Sequence, residues 1–197
     1  SIPPIKLARL RGNNELLELK SEELRLTFSE ISEFLSSTMG LCLSDGDVKK
    51  LAQWTEGWII ALNLTALALR SSVDMNKDFS NLTNIDNHIY EYLSEEVFDF
   101  LNSDLKDFLL KTSILDTFTT DLCNYILGIE NSQEIICILE KNNIFIHALG
   151  PKRDEFRYHS LFADFLKKKL FQAYPETVEN LYLRASRWYE DNGLIQG

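Results

Sequence analysis

The chain has 197 residues, with 30 Asp and Glu against 20 Lys and Arg, a formal charge of −10; that length accommodates one large domain or two small ones. Its 45% hydrophobic share, with 12 Phe, 7 Tyr and 3 Trp, offers enough apolar surface to offset chain entropy and excludes disorder throughout. The acidic balance argues against a phosphate-backbone binder, and 8 Gly with 4 Pro are too few breakers for a turn-rich β fold.

Pro3-Pro4 leads into a helical turn at Leu7, Leu10 and Arg11. Leu16-Leu17-Glu18-Leu19 is a short apolar run flanked by charge, and it predicts a strand. A lone strand needs ladder partners, so the run implies partners outside this chain. Ser29, Glu30, Ile31, Phe34 and Leu35 predict a helix from near Thr27, with Gly40 as its C′ residue. Ser44-Asp45-Gly46-Asp47 opens a second helix through Val48, Leu51, Ala52 and Trp54. Past Gly57 a third runs from Trp58 to about Leu69; it is apolar nearly all round, so it is expected to be buried. Residues 71–87 are polar and read as a loop or a broken helix. Ile89, Leu93, Val97, Phe100 and Leu101 then recur at helical spacing.

After Ser103 three short helical segments follow, at about 104–111, 119–127 and 132–142. Ile144-Phe145-Ile146 and Glu155-Phe156-Arg157-Tyr158 flank the cluster Gly150-Pro151-Lys152-Arg153-Asp154, a β-hairpin signal. Three helices and a hairpin make a winged helix. Leu161, Phe162, Phe165, Leu166 and Leu170 define a helix ended before Pro175. Val178, Leu181, Tyr182, Ala185, Trp188 and Tyr189 define a last one, closed at Asn192-Gly193. The fold class is therefore mainly α: a helical domain, a winged-helix domain with a small hairpin, and a C-terminal arm helix.

The chemistry-bearing motifs are few. There is no GxxxxGK[ST], GxGxxG, HExxH or GxSxG, and His88, His147 and His159 show no metal-ligand spacing, so neither catalytic nor metal residues are expected. Cys42, Cys123 and Cys137 lie far apart without CxxC and read as buried thiols in a reducing compartment. No run approaches the roughly 20 apolar residues of a membrane span, and the N-terminus has no signal-peptide pattern. Lys152 and Arg153 on the wing, with Lys167-Lys168-Lys169 on the next helix, are what a DNA reading would use. The candidate recognition helix opposes it, offering Gln133, Glu134, Glu140 and Lys141.

Two places stand out. In Tyr158-His159-Ser160-Leu161-Phe162, His159 sits where a strand becomes a helix. A phosphate suits the N–H groups and positive end of a helix start, and histidine can donate to it; a packed core histidine fits the same position. In Thr55-Glu56-Gly57-Trp58, Gly57 permits close backbone approach and Trp58 can cover a purine ring; a helix boundary with a core tryptophan fits equally.

Several stretches, in order, resemble the large ATP-binding LuxR-type, MalT-like transcription activators of the STAND ATPase family. They are 3–11 (PPIKLARLR), Leu16-Leu17-Glu18-Leu19, Met39-Gly40-Leu41, Thr55-Glu56-Gly57-Trp58-Ile59, 92–97 (YLSEEV), 108–115 (FLLKTSIL), 156–166 (FRYHSLFADFL) and 184–190 (RASRWYE). The resemblance implies a nucleotide-gated regulator. Its P-loop domain would precede this chain, and its sensor repeats and DNA-binding domain would follow. It implies residues 1–20 as the end of the nucleotide-binding domain, 21–102 as the helical domain, 103–172 as the winged helix and 173–197 as the start of the arm.

The resemblance also implies roles. His159 matches the winged-helix histidine that touches the β-phosphate of ADP in the resting state. Gly57-Trp58-Ile59 matches the turn beside adenine, without the family's proline. ADP or ATP is then the cofactor of the parent protein, with none expected to bind this fragment tightly. The expected partners are its own nucleotide-binding domain and sensor repeats, with self-association on activation and no direct nucleic-acid or membrane contact. The chain is expected to be cytoplasmic and not itself an enzyme. A free-standing winged-helix DNA binder and a nucleotide-independent protein-interaction scaffold are the alternatives.

Overall fold

Thr27 shows how the first helices are set. It precedes α2 (Phe28–Glu33), its hydroxyl accepts from the Glu30 N–H, and the Glu30 carboxylate accepts from the Thr27 N–H at 2.8 Å. This reciprocal capping box satisfies two otherwise orphaned donors. It also holds the Glu30 carboxyl below its ordinary range, through the bonds from the Thr27 backbone and side chain. The helix continues as a π-helical turn over Phe34–Thr38, where the Met39 N–H reaches Phe34 O at 3.0 Å. Ser44 caps α3 (Asp45–Thr55).

The computed structural model describes residues 7–13, 15–16, 21–71 and 83–194, and the chain divides into two units, Ser1–Glu91 and Tyr92–Gly197. In the first unit, α1 spans Leu7–Gly12 and α4 spans Ile59–Ser71. The core of this unit joins Ile31, Leu35, Met39, Leu41, Val48 and Leu51 to Leu62 and Ala66 of α4. The predicted strand at 16–19 falls outside the described residues except for Leu16, as does most of the polar stretch 71–87.

Although α4 is apolar nearly all round, only one stripe is buried, through Ala61, Leu62, Thr65 and Ala66. Ile59 and Leu67, one turn to either side of the exposed Asn63 on the other face, are 40% and 49% exposed. Cys42 is exposed rather than buried: the stretch between Gly40 and α3 is extended, so Leu41 turns inward and its neighbour turns out.

The helix α5 (Thr83–Leu93) runs into a second π-helical turn, Ser94–Phe98, so the regular helix expected through Leu101 is interrupted. The second unit then unfolds its elements in winged-helix order. These are α6 (Ser103–Thr112), β1 (Phe118–Thr119), α7 (Thr120–Leu127), α8 (Ser132–Lys141), β2 (Ile146–Leu149), β3 (Glu155–Tyr158), α9 (Ser160–Ala173) and α10 (Pro175–Asp191). The three strands form an antiparallel sheet in the order β1-β3-β2. The hairpin was legible in the sequence, but its first strand, expected at 144–146, is Ile146–Leu149, because the left-handed residues Asn143 and Phe145 still turn the chain there; β1 was not legible, because two residues carry no periodicity.

Register places Phe118 opposite Phe156 and Ile146 opposite Tyr158. The sheet thus turns one aromatic face inward, against Phe162 and Phe165 of α9. Within this core the Tyr158 hydroxyl and Thr112 Oγ1 lie 2.7 Å apart, and Thr112 also donates to Phe108 O. The helix α10 packs on α7 and α9, and Arg184 reaches the Tyr125 carbonyl.

Candidate functional site

The outer face of the hairpin follows from strand alternation. Phe156 and Tyr158 face the core, so Arg157 between them faces away. His147 of β2 is registered directly against Arg157. His159, two residues after Arg157, returns to the same side, and its ring centroid lies 6.3 Å from that of His147. Three nitrogen-rich side chains therefore share one end of one face. Arg157 and His147 are half-buried, whereas His159 is only 4% exposed.

Several local features hold His159. Its N–H donates to Phe145 O at 2.8 Å, which extends the ladder one step past Ile146–Tyr158, and its own carbonyl accepts from the Ala163 N–H at 2.9 Å, starting α9. The Phe145 ring meets the imidazole edge-on at 6.0 Å. Phe145 takes a left-handed backbone, φ +46°, two residues after Asn143 at φ +52°. An aromatic residue in that region is unusual and is tolerated where packing over-determines it; here the Phe162 ring lies 5.1 Å away. Arg157 Nη1 donates to the Tyr158 carbonyl at 3.2 Å, laying the guanidinium along the strand one residue short of His159.

Gly57 and Trp58 stand in the first unit. Glu56 and Gly57 are consecutive left-handed residues, φ +47° and +75°, that turn the chain from α3 into α4. The close approach that glycine permits is to the chain itself: a Cβ on Gly57 would sit 2.5 Å from Leu26 O, and the Leu26 N–H donates to Gly57 O. The Arg25–Glu56 ion pair at 3.3 Å flanks the same junction. Trp58 is half-buried, its N–H bonds Thr55 O at 2.8 Å, and its carbonyl accepts from Leu62 as α4 begins.

Three of the basic residues that a DNA reading would use are engaged within the chain. Arg153 on the wing pairs with Glu140 of α8 at 2.7 Å. Lys167 pairs with Asp116 at 3.4 Å, and the Lys169 ammonium lies over the Phe98 and Phe165 rings. The outward face of α8 presents Gln133, Glu134, Ile138 and Lys141, a set ill-suited to base edges in a major groove. Among the described residues no helix is long and apolar enough to cross a membrane, and no three His, Cys, Asp or Glu come together to hold a metal ion.

The sequence singled out His159 but passed over His147 and Arg157 as site residues. The signal was available: antiparallel pairing around a wing at 150–154 puts position 147 across from 157.

Residues 94–178 match the family described as the MalT winged helix domain. The chain is 34% identical over 191 residues to the serine/threonine-protein kinase PknK of Mycobacterium tuberculosis strain H37Rv, covering 97% of this chain and 17% of that one. It is 33% identical over 171 residues to the HTH-type transcriptional regulator MalT of Yersinia enterocolitica, covering 86% of this chain and 19% of the relative. MalT of Yersinia pestis strain Pestoides F is 32% identical over the same length. The chain spans under a fifth of the length of these curated relatives. With the three-stranded sheet and helix order of the second unit in hand, the chain is MalT-like, and its residues 94–178 belong to the MalT winged helix domain family.

Proposed function

We propose that this chain is a regulatory segment of a longer, cytoplasmic MalT-type transcription regulator. In this reading it serves as a lid on a nucleotide-binding domain that lies outside it. The observation that carries the reading is the end of the hairpin face, where His147, Arg157 and His159 gather at the start of α9. Cationic and imidazole donors beside a helix N-terminus fit the charge of a nucleotide phosphate. ADP, when bound, supplies a bridge between the lid and the domain carrying the P-loop. The residues of this chain favour the closed arrangement only by the extra affinity they add there.

The reading assigns no base-edge contact to this winged helix. Across residues 94–178 there are 14 Asp and Glu against 9 Lys and Arg, and the field of such a surface repels a duplex. Transcription control would then pass through the parent protein's self-association and its separate DNA-binding domain. Trp58, half-buried at the α3–α4 turn, is proposed separately as an indole face on which an adenine ring can stack. Gly57 supports that turn by letting Leu26 approach.

The test is calorimetry with ADP on the longer protein, wild type against His159→Ala, together with basal transcription of a reporter. The reading expects ADP affinity to fall by about tenfold or more, the loss of one charge-assisted contact, and basal transcription to rise. Unchanged affinity with unchanged transcription would overturn it.

A further inference from the structure

We propose that two adjoining cavities between α10 and the β1 edge of the sheet form a receptor for an arginine side chain, carried by a protein segment with apolar residues on either side of it. The proposal stands apart from the nucleotide reading and uses none of its residues.

The site is built from elements of the second unit alone. Along α10, Tyr182, Ser186, Tyr189 and Glu190 recur at helical spacing and, with Asp116, line a cavity of about 400 Å³. A second cavity, of about 260 Å³, shares Tyr189 and Leu194 with the first, and Glu155 and Trp188 also line it. The sheet fixes the place of Glu155, which is registered against Thr119 of β1 on one side and Leu149 of β2 on the other. The Trp188 and Tyr189 rings meet edge-on, with centroids 5.4 Å apart, an arrangement that leaves ring surface to line the cavity rather than closing it into a stack.

Charge decides what this site takes. Three carboxylates, those of Asp116, Glu155 and Glu190, line the two cavities, and no Lys or Arg does. Lys167 pairs with Asp116 at 3.4 Å, and the Ser186 hydroxyl donates to Glu190 at 3.4 Å. Glu155 is exposed, and among the described residues no Lys or Arg pairs with it. The Tyr189 phenol feels the same negative field: it is held above its ordinary range first by burial and then by Glu155 and Asp116.

A guanidinium fits both components. Its paired N–H donors match a carboxylate, and its plane lies on an aromatic ring. An ammonium is a point charge that makes the first contact without the flat one. The rim sets the kind of partner. Tyr182 and Leu194 are 46% and 52% exposed beside the cavities, apolar surface that a free cation leaves wet and that aliphatic neighbours in a peptide cover. Held between Glu155 of β3 and the rings of α10, such a segment ties that helix to the sheet.

The experiment titrates this chain with a capped Ala-Leu-Arg-Leu-Ala peptide at constant ionic strength, following the indole N–H signals of Trp54, Trp58 and Trp188. Trp188 should shift saturably while the two tryptophans of the first unit stay. The citrulline peptide, similar in shape but neutral, and acetyl-arginine amide, the same cation without neighbours, should each bind at least about fivefold more weakly, and the lysine peptide should fall between. Glu155→Gln should weaken arginine-peptide binding about tenfold with the melting temperature unchanged, and Tyr189→Leu should narrow the preference for arginine over lysine. A citrulline peptide or acetyl-arginine amide that binds as tightly as the arginine peptide, unchanged affinity in Glu155→Gln, or no saturable shift at Trp188 would overturn the proposal.

Discussion

At Gly57 a single hydrogen separates a tolerated backbone from a clash. With φ at +75° and Leu26 O only 2.5 Å from where a Cβ would sit, Gly57→Ala must move backbone rather than a flexible side chain. The expected loss is about 2 kcal/mol or more, since a left-handed alanine and a backbone contact are both penalised, and urea unfolding measures it. The sequence marked Gly57 as a point of close approach without naming what approaches. Leu26 lies 31 positions upstream, and no local spacing encodes that pairing. Two other residues carry a pH dependence. Burial pushes the Cys123 thiol from 9.0 up to about 12, and burial likewise raises Tyr158 well above 10.0, with the Thr112 bond opposing. Each group is neutral in the fold and ionises more readily once unfolded. The stability it contributes is therefore complete below pH 9 and is lost as pH rises toward the folded value. From these two groups stability should be flat from neutral pH to about 9, then fall by about 1.4 kcal/mol per unit through Cys123, with Tyr158 adding a like slope only above about 10. Denaturant melts at several pH values check this, and Cys123→Ala should remove the first part of the slope.

Among the elements, α9 links the wing to the core. Phe162 is fully buried, stacked on Phe165 at 6.0 Å and edge-on to Tyr158 at 6.2 Å. Phe162→Ala should cost about 3–5 kcal/mol and should broaden the histidine signals, because Phe145 loses the ring that holds its left-handed backbone; thermal melts with proton NMR test both. Its apolar spacing made α9 plain in the sequence, and Gly150-Pro151 between alternating runs did the same for the hairpin. Elements set by distant partners were not legible. The strand β1 is two residues whose only periodicity is its pairing with β3. The exposed stripe of α4 cannot be read from a helix apolar on every side, because burial there depends on what the rest of the unit covers. The residues of the hairpin face are intermediate: His159 stands out by its place before a helix, whereas His147 becomes visible only through its register with Arg157.

The whole molecule divides into two units, Ser1–Glu91 and Tyr92–Gly197. The second contains the match to the MalT winged helix domain over residues 94–178, and its wing arginine, Arg153, is held by Glu140 of α8. The account's central claim is that a nucleotide phosphate is held at the His147–Arg157–His159 face. The most direct measurement is the release rate of a fluorescent ADP from the intact regulator, wild type against His159→Ala. The account predicts release at least about tenfold faster in the variant; the same release rate in both proteins would contradict it.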